Sequence, residues 1–186
     1  MHRTSLRLGA ALIAAAALAF PASALAATAT PTGTVTAGSL SLTTTAAPTF
    51  STTLNGTDQT PTYPLPLTIE DLTGTGAGWN TTITSTEFTT GGETPHTLST
   101  TASSMTGVTN ACVEGAACTD PTNAIAYPLS VPAGAIAPAA VKFFNAAAET
   151  GMGVFTNTPT VGVSIPADTY AGTYTSTITL ASVSGP

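Results

Sequence analysis

The sequence predicts an all-β domain, an antiparallel β-sandwich of Greek-key or immunoglobulin-like type with about eight to ten short strands. Two observations support this fold class. Apolar residues alternate with threonine and serine in several short segments, which is the period of a half-buried strand. Glycine and proline, with 17 and 14 residues, separate these segments as turn residues do, and no convincing helical pattern follows the first 26 residues. A related barrel is the alternative architecture.

The first 26 residues have the organisation of a cleavable secretory signal peptide. Basic residues come first, an apolar stretch follows, and small residues then stand where a signal peptidase cuts: Arg3 and Arg7, residues 8–20, and Ala24-Leu25-Ala26. The apolar stretch is shorter than the roughly 18 to 20 residues that cross a bilayer, and Pro21 ends it. We therefore expect cleavage before Ala27, a flexible lead over residues 27–37 and a β-sandwich domain over residues 38–186.

The charge of the exported chain is negative, and cations are almost absent from it. Lys142 is the only Lys or Arg after the signal peptide, and against nine acidic residues it leaves a net charge of about −8. This charge excludes nucleic acid and anionic membranes as partners. No second apolar run is long enough to span a bilayer, and residues 182–186 carry no sorting motif. We expect a secreted protein with no transmembrane segment in the mature chain, held non-covalently at the cell surface.

The first half of the domain contains four predicted strands and one glycine-rich loop. Alternation predicts strands around residues 39–42, 50–54, 65–69 and 79–83. Leu67 and Ile69 share one face of the third strand, and Trp79 and Ile83 share one face of the fourth. The loop between them, residues 71–78, holds three glycines. We therefore expect a hairpin that pairs these two strands antiparallel.

The second half of the domain is less patterned at its start than at its end. Residues 89–125 are expected to form long connections with at most one short strand. Residues 139–148 are rich in alanine, but Val141-Lys142-Phe143-Phe144 favours a strand over a helix. Alternation returns around residues 127–131, 161–165 and 174–180. The last two are expected to close the domain as an antiparallel pair with threonine facing water.

Cys112 and Cys118 are the only cysteines, and in an exported protein they are expected to form a disulfide. Closing so short a loop stabilises the fold by about 2 kcal/mol, so the bond is expected to act as a local clip. A metal site at this pair would need further ligands, and His96 is the only histidine after the signal peptide. The sequence therefore predicts neither a metal nor a cofactor.

Three segments together resemble the WxL domain of Gram-positive cell-surface proteins: residues 67–79, residues 149–155 and residues 165–180. The first Trp-x-Leu position of that domain reads Trp79-Asn80-Thr81 here, and Leu180 and Ser182 stand at the second. The resemblance covers most of residues 36–186. It implies a domain that binds peptidoglycan or another cell-wall glycan non-covalently and that can assemble with other surface proteins.

The candidate ligand-binding residues are four, all at the glycine loop: Trp79, Asp71, Gly76 and Gly78. The indole of Trp79 has the apolar face and the N–H donor that suit a sugar ring, but its parity with Ile83 favours the core. Asp71 can fix the loop by accepting N–H bonds, or it can contact a ligand or, with Glu70, a calcium ion. The loop glycines offer backbone N–H groups to a ligand.

The chain has few residues that could perform catalysis. His96 lacks a neighbouring nucleophile motif, and only a distant carboxylate pair such as Glu70 with Glu149 would supply a glycosidase dyad. We therefore predict a non-enzymatic wall-binding module. A structural subunit of a surface layer or fibre, assembling through strand edges, is the alternative, and a secreted enzyme or inhibitor is the third possibility.

Overall fold

The computed structural model describes residues 29–186, which form ten β-strands and no helix. In chain order the strands are β1 Leu40–Thr43, β2 Thr62–Pro64, β3 Leu67–Asp71, β4 Trp79–Thr86, β5 Ser103–Cys112, β6 Leu129–Ser130, β7 Ala133–Gly134, β8 Val141–Ala146, β9 Gly153–Val163 and β10 Ile178–Ser184. Over the described range, no helix is long and apolar enough to cross a membrane. The predicted signal peptide and its cleavage site lie outside the described residues.

The strands form two sheets. The larger sheet has the order β1-β3-β9-β5-β6, with β2 also paired to β9, and the smaller sheet has the order β10-β4-β7, with β8 also paired to β4. Strand β9 is the centre of the larger sheet, because β5 pairs along one side of it and β2 and β3 follow one another along the other. The only parallel contact between these strands is the two-residue pairing of β4 with β7.

The apolar faces of the two sheets share one main core. The larger sheet contributes Leu67, Ile69 and Phe155, and the smaller sheet contributes Trp79 and Ile83; all five are fully or almost fully buried. A smaller second cluster is built from Tyr63, Leu98, Ala102, Val161, Val163 and Ile165. Two sheets that bury their inner faces against each other are a β-sandwich, so the predicted fold class is confirmed.

Several predicted strands are observed with the expected buried face. Strand β3 buries Leu67 and Ile69, and β4 buries Trp79 and Ile83. The alanine-rich stretch forms strand β8, as its valine and phenylalanines indicated. Along β10 the residues alternate between half-buried and exposed, with Thr179 on the exposed face, so the threonine stripe faces water as expected.

Two predicted strand pairings are wrong. Strands β3 and β4 do not form a hairpin, because β3 belongs to the larger sheet and β4 to the smaller one. The glycine loop between them crosses from one layer to the other. Strands β9 and β10 are likewise in different sheets. Both sides of β9 are already occupied by other strands, whereas β10 pairs with β4 over seven residues. Apolar alternation identified these four strands but carried no information on which strand lies beside each of them.

Two further expectations about individual segments are wrong. Residues 89–125 contain β5, a ten-residue strand, where long connections with at most one short strand were expected. This strand is polar and buries one large side chain, Met105, so its pairing with β9 and not its pattern makes it a strand. Residues 50–54 form no strand. Phe50 instead contacts Tyr63 and Phe88 through its ring, at centroid distances of 5.7 and 5.6 Å.

Candidate functional site

Trp79 begins β4 and lies in the main core with 0 % of its surface exposed. Its indole Nε1–H donates a hydrogen bond to the carbonyl oxygen of Gly151 at 2.7 Å, so the polar group of the ring is satisfied away from water. Phe144 and Phe155 flank the ring at centroid distances of 5.8 and 6.3 Å. This is the core position that strand parity favoured. Neither face of the indole is open to a sugar ring.

Two glycines allow the backbone to close over this indole. A Cβ atom at Gly151 would lie 2.8 Å from Nε1 of Trp79, which is too close for any side chain. A Cβ atom at Gly78 would collide with the carbonyl oxygen of Ala146, and the φ angle of Gly78 is +71°, in the region that favours glycine. The glycine loop and the segment around Gly151, which are far apart in sequence, therefore meet around Trp79.

Asp71 ends β3 and is buried at the start of the glycine loop. Its Oδ1 accepts hydrogen bonds from the backbone N–H and the hydroxyl of Thr73, at 3.1 and 2.6 Å. The hydroxyl of Thr75 makes a further hydrogen bond within the loop by accepting from the N–H of Ala77 at 3.3 Å. The carboxylate therefore fixes the loop, which is one of the two roles the sequence allowed. Glu70 precedes it in the strand, and adjacent strand residues point to opposite faces, so these two carboxylates do not converge on one calcium ion.

The four predicted ligand-binding residues are near one another but lie beneath the surface of the loop. Trp79, Asp71, Gly76 and Gly78 are all buried. Gly76 is covered by Glu149, whose backbone N–H donates to the Gly76 carbonyl oxygen at 2.8 Å. The exposed part of the loop consists of Leu72, Gly74, Thr75 and Ala77. The buried positions favour a structural role for the four residues, and direct contact between them and a ligand stays a prediction.

The two segments at the Trp-x-Leu positions lie side by side in the smaller sheet. Strand β10 pairs antiparallel with β4, which places Ser182 opposite Thr81 and Leu180 opposite Ile83. Thr81 is fully buried, and its hydroxyl donates to the carbonyl oxygen of Phe144 at 3.2 Å. The register between β4 and β8 shifts between Thr81 and the next residue. The Thr81 hydroxyl therefore has a hydrogen-bond partner at this irregular point of the sheet. A leucine in its place would leave the Phe144 carbonyl oxygen without the hydroxyl as a partner.

Cys112 and Cys118 form the predicted disulfide. Cys112 is the last residue of β5, and Cys118 forms an isolated antiparallel bridge with Gly153, the first residue of β9. A Cβ atom at Gly153 would lie 2.8 Å from Cα of Cys118. The disulfide thus holds the short loop between the two cysteines against strands β5 and β9.

A surface cavity of about 240 Å³ lies away from the glycine loop and was not predicted from the sequence. Its lining includes His96, Asp168, Tyr170 and Tyr174. The rings of His96 and Tyr170 stack with centroids 3.8 Å apart and planes 7° from parallel. One signal in the sequence could have indicated this cavity. Tyr170 is an aromatic residue in the turn-rich segment between two alternating runs, and no strand there needs an apolar side chain.

The comparison with family models decides the identity of the domain. The chain matches the model described as WxL domain surface cell wall-binding over residues 14–183. The chain belongs to the WxL domain family. No curated protein and no solved structure matches it. The resemblance seen in the sequence is therefore confirmed, and this WxL protein is a cell-surface protein of a family whose members bind the cell wall and are not classed as enzymes.

Proposed function

We propose that this WxL protein binds the peptidoglycan of the cell wall through hydrogen bonds and stacking, and not through charge. The membership in a family of wall-binding surface domains is the observation that carries the proposal. Peptidoglycan is the favoured wall polymer because its sugar backbone offers hydroxyl and amide groups that hydrogen-bond without a cation on the protein.

The electrostatics of the domain support this choice of polymer. Lys142 is the only Lys or Arg among the described residues, and nine acidic residues oppose it. Anionic wall polymers would be repelled by this net charge, and a single cation provides only a weak tether that salt would screen. The exposed surface is instead rich in threonine and serine hydroxyl groups, which donate and accept hydrogen bonds.

Co-sedimentation with purified cell walls tests the proposal. The native protein is mixed with intact walls and, separately, with peptidoglycan stripped of its anionic polymers, at low and at high salt. We expect equal retention on both preparations and little change with salt, because neutral contacts are not screened.

Three other results would each contradict a different part of the proposal. Release of the native protein as salt rises would show that binding is electrostatic. Retention only by intact walls would assign the ligand to the anionic polymers. Failure to sediment with either preparation would favour the structural subunit, which would assemble through exposed strand edges without affinity for the wall.

A further inference from the structure

We propose that the surface cavity lined by His96 and Tyr170 is a binding subsite for one neutral sugar ring of the wall glycan. We call it the His96–Tyr170 pocket; its polar and aromatic lining includes His96, Ser99, Asp168, Thr169, Tyr170 and Tyr174. The inference rests on the proposed wall-binding function and gives it a location, which is separate from the glycine loop.

Tyr170 provides the stacking platform of the pocket. Its side chain is 65 % exposed, and it is the one aromatic residue among the exposed large hydrophobic residues of the described chain. His96 packs in parallel against one face of the ring at a centroid distance of 3.8 Å, so the ring orientation is held while much of its surface remains in water. An exposed, oriented aromatic face suits the C–H face of a pyranose ring.

The backbone that supports Tyr170 is also fixed. The hydroxyl of Tyr174 donates to the Tyr170 carbonyl oxygen at 3.0 Å, and the N–H of Thr169 donates to the carbonyl oxygen of Pro166 at 3.1 Å. Leu98, another lining residue, is buried in the second apolar cluster, against which Tyr174 packs. The platform therefore stands on the core, so a ligand would not have to order it on binding.

Polar groups around the platform are free to bind the hydroxyl groups of a sugar. Among the described residues, the ring nitrogens of His96, the carboxylate of Asp168 and the hydroxyl of Tyr170 form no side-chain hydrogen bond, whereas the neighbouring Tyr174 hydroxyl does. A stacking face with a few such groups beside it is the chemistry that fixes one sugar ring in one orientation.

The size and the charge of the pocket select its ligand. Its volume of about 240 Å³ is below the roughly 300 to 1,000 Å³ of cavities that enclose a drug-sized molecule, which suits one ring of a longer chain. No Lys or Arg lines it, and Asp168 is its carboxylate. A phosphate group would have no cation there and would be repelled by Asp168, so a neutral sugar is favoured over a phosphate-bearing polymer.

A titration followed by nuclear magnetic resonance tests the pocket directly. His2 and His96 are the only histidines in the chain, so the ring signals of His96 can be assigned from one His96→Asn spectrum. The ligand is a soluble oligomer of β-1,4-linked N-acetylglucosamine, added to the full chain. We expect saturable shifts of the His96 ring signals, and binding about tenfold weaker in Tyr170→Ala.

Two matched variants separate stacking from other causes. Tyr170→Phe keeps the ring and removes the hydroxyl, so it should bind more tightly than Tyr170→Ala. Ile136→Ala removes another exposed side chain, 88 % exposed and outside the pocket, and should bind as the native protein does. Circular dichroism of each variant confirms that it is folded before binding is measured.

Wall co-sedimentation of the same variants distinguishes failure of the pocket from failure of the proposed function. If the native protein and folded Tyr170→Ala are retained equally, the pocket is not the subsite, although the wall-binding function stands. If the native protein binds walls but the oligomer leaves the His96 signals unchanged, a neutral sugar at this pocket is overturned. If the native protein binds neither, the proposed function itself fails.

Discussion

At the scale of single residues, the stability of the domain depends on Trp79, which is fully buried in the main core. Trp79→Ala removes a fully buried indole and should cost about 3–5 kcal/mol in the free energy of unfolding. Trp79→Phe keeps an aromatic ring but leaves the Gly151 carbonyl oxygen unpaired, at a cost of about 1–3 kcal/mol. Urea denaturation measures both values. Folded Trp79→Phe should still sediment with walls, and its loss of wall binding at unchanged stability would contradict the core assignment.

Tyr63 makes the stability of the fold depend on pH in the alkaline range. Burial raises the pKa of its hydroxyl from 10.0 to about 12. The unfolded chain therefore loses this proton first, so the contribution of the neutral hydroxyl is complete below pH 10 and is lost as the pH rises towards 12. A shift of two units corresponds to about 3 kcal/mol.

Urea midpoints measured from about pH 9 to about pH 11.5 check this dependence. Tyr63→Phe should show a shallower decline than the native protein. Some decline should remain, because burial also raises the pKa of Tyr127. Parallel curves for the two proteins would show that Tyr63 is not the group responsible.

At the scale of elements, the glycine loop between β3 and β4 is held by close packing and not only by its turns. Gly74 and Gly78 both have positive φ angles, +65° and +71°, but a Cβ atom at Gly74 meets open space, while one at Gly78 meets the Ala146 carbonyl oxygen. Gly74→Ala should therefore cost about 1 kcal/mol from backbone strain alone. Gly78→Ala should cost about 3 kcal/mol or more. Thermal melts of the pair separate the two contributions, and equal costs would mean that packing at Gly78 is unimportant.

The disulfide is the element whose contribution should be small. It closes a short loop at the end of β5, while the main core is built from strands on both sheets and includes neither cysteine among its fully buried members. Reduction should lower the free energy of unfolding by about 2 kcal/mol and leave the domain folded. Melts with and without reductant, and of a Cys112→Ser, Cys118→Ser double variant, measure the effect. Complete loss of structure on reduction would show that the bond holds more than its own loop.

At the scale of the whole molecule, the sequence allowed prediction of the fold class and the buried faces, but not of the neighbours of each strand. Leu67 and Ile69 were assigned correctly because alternation is a local property of one strand. The position and length of strand β5 were not predicted because its ten residues bury only one large side chain, and its partner β9 lies more than forty residues later. The candidate ligand-binding residues are among the most unusual in the sequence, and the structure shows that packing requires Trp79 and Gly78. Tyr170 stands out only as an aromatic residue in a turn-rich segment, and nothing local in the sequence shows that His96 stacks on it.

The central position of β9 has a consequence for the order in which this protein can acquire its structure. Strands β2, β3 and β5 all precede β9 in the chain, and each of them pairs with it. A chain that crosses a membrane with its N-terminus first delivers these three strands before their common partner. Strand β3 can pair with β1 and β5 with β6 before β9 follows, but these two pairs cannot join into one sheet without it, because pairing between strands distant in sequence must wait for both to be present. The topology thus couples completion of the larger sheet to the arrival of residues 153–163.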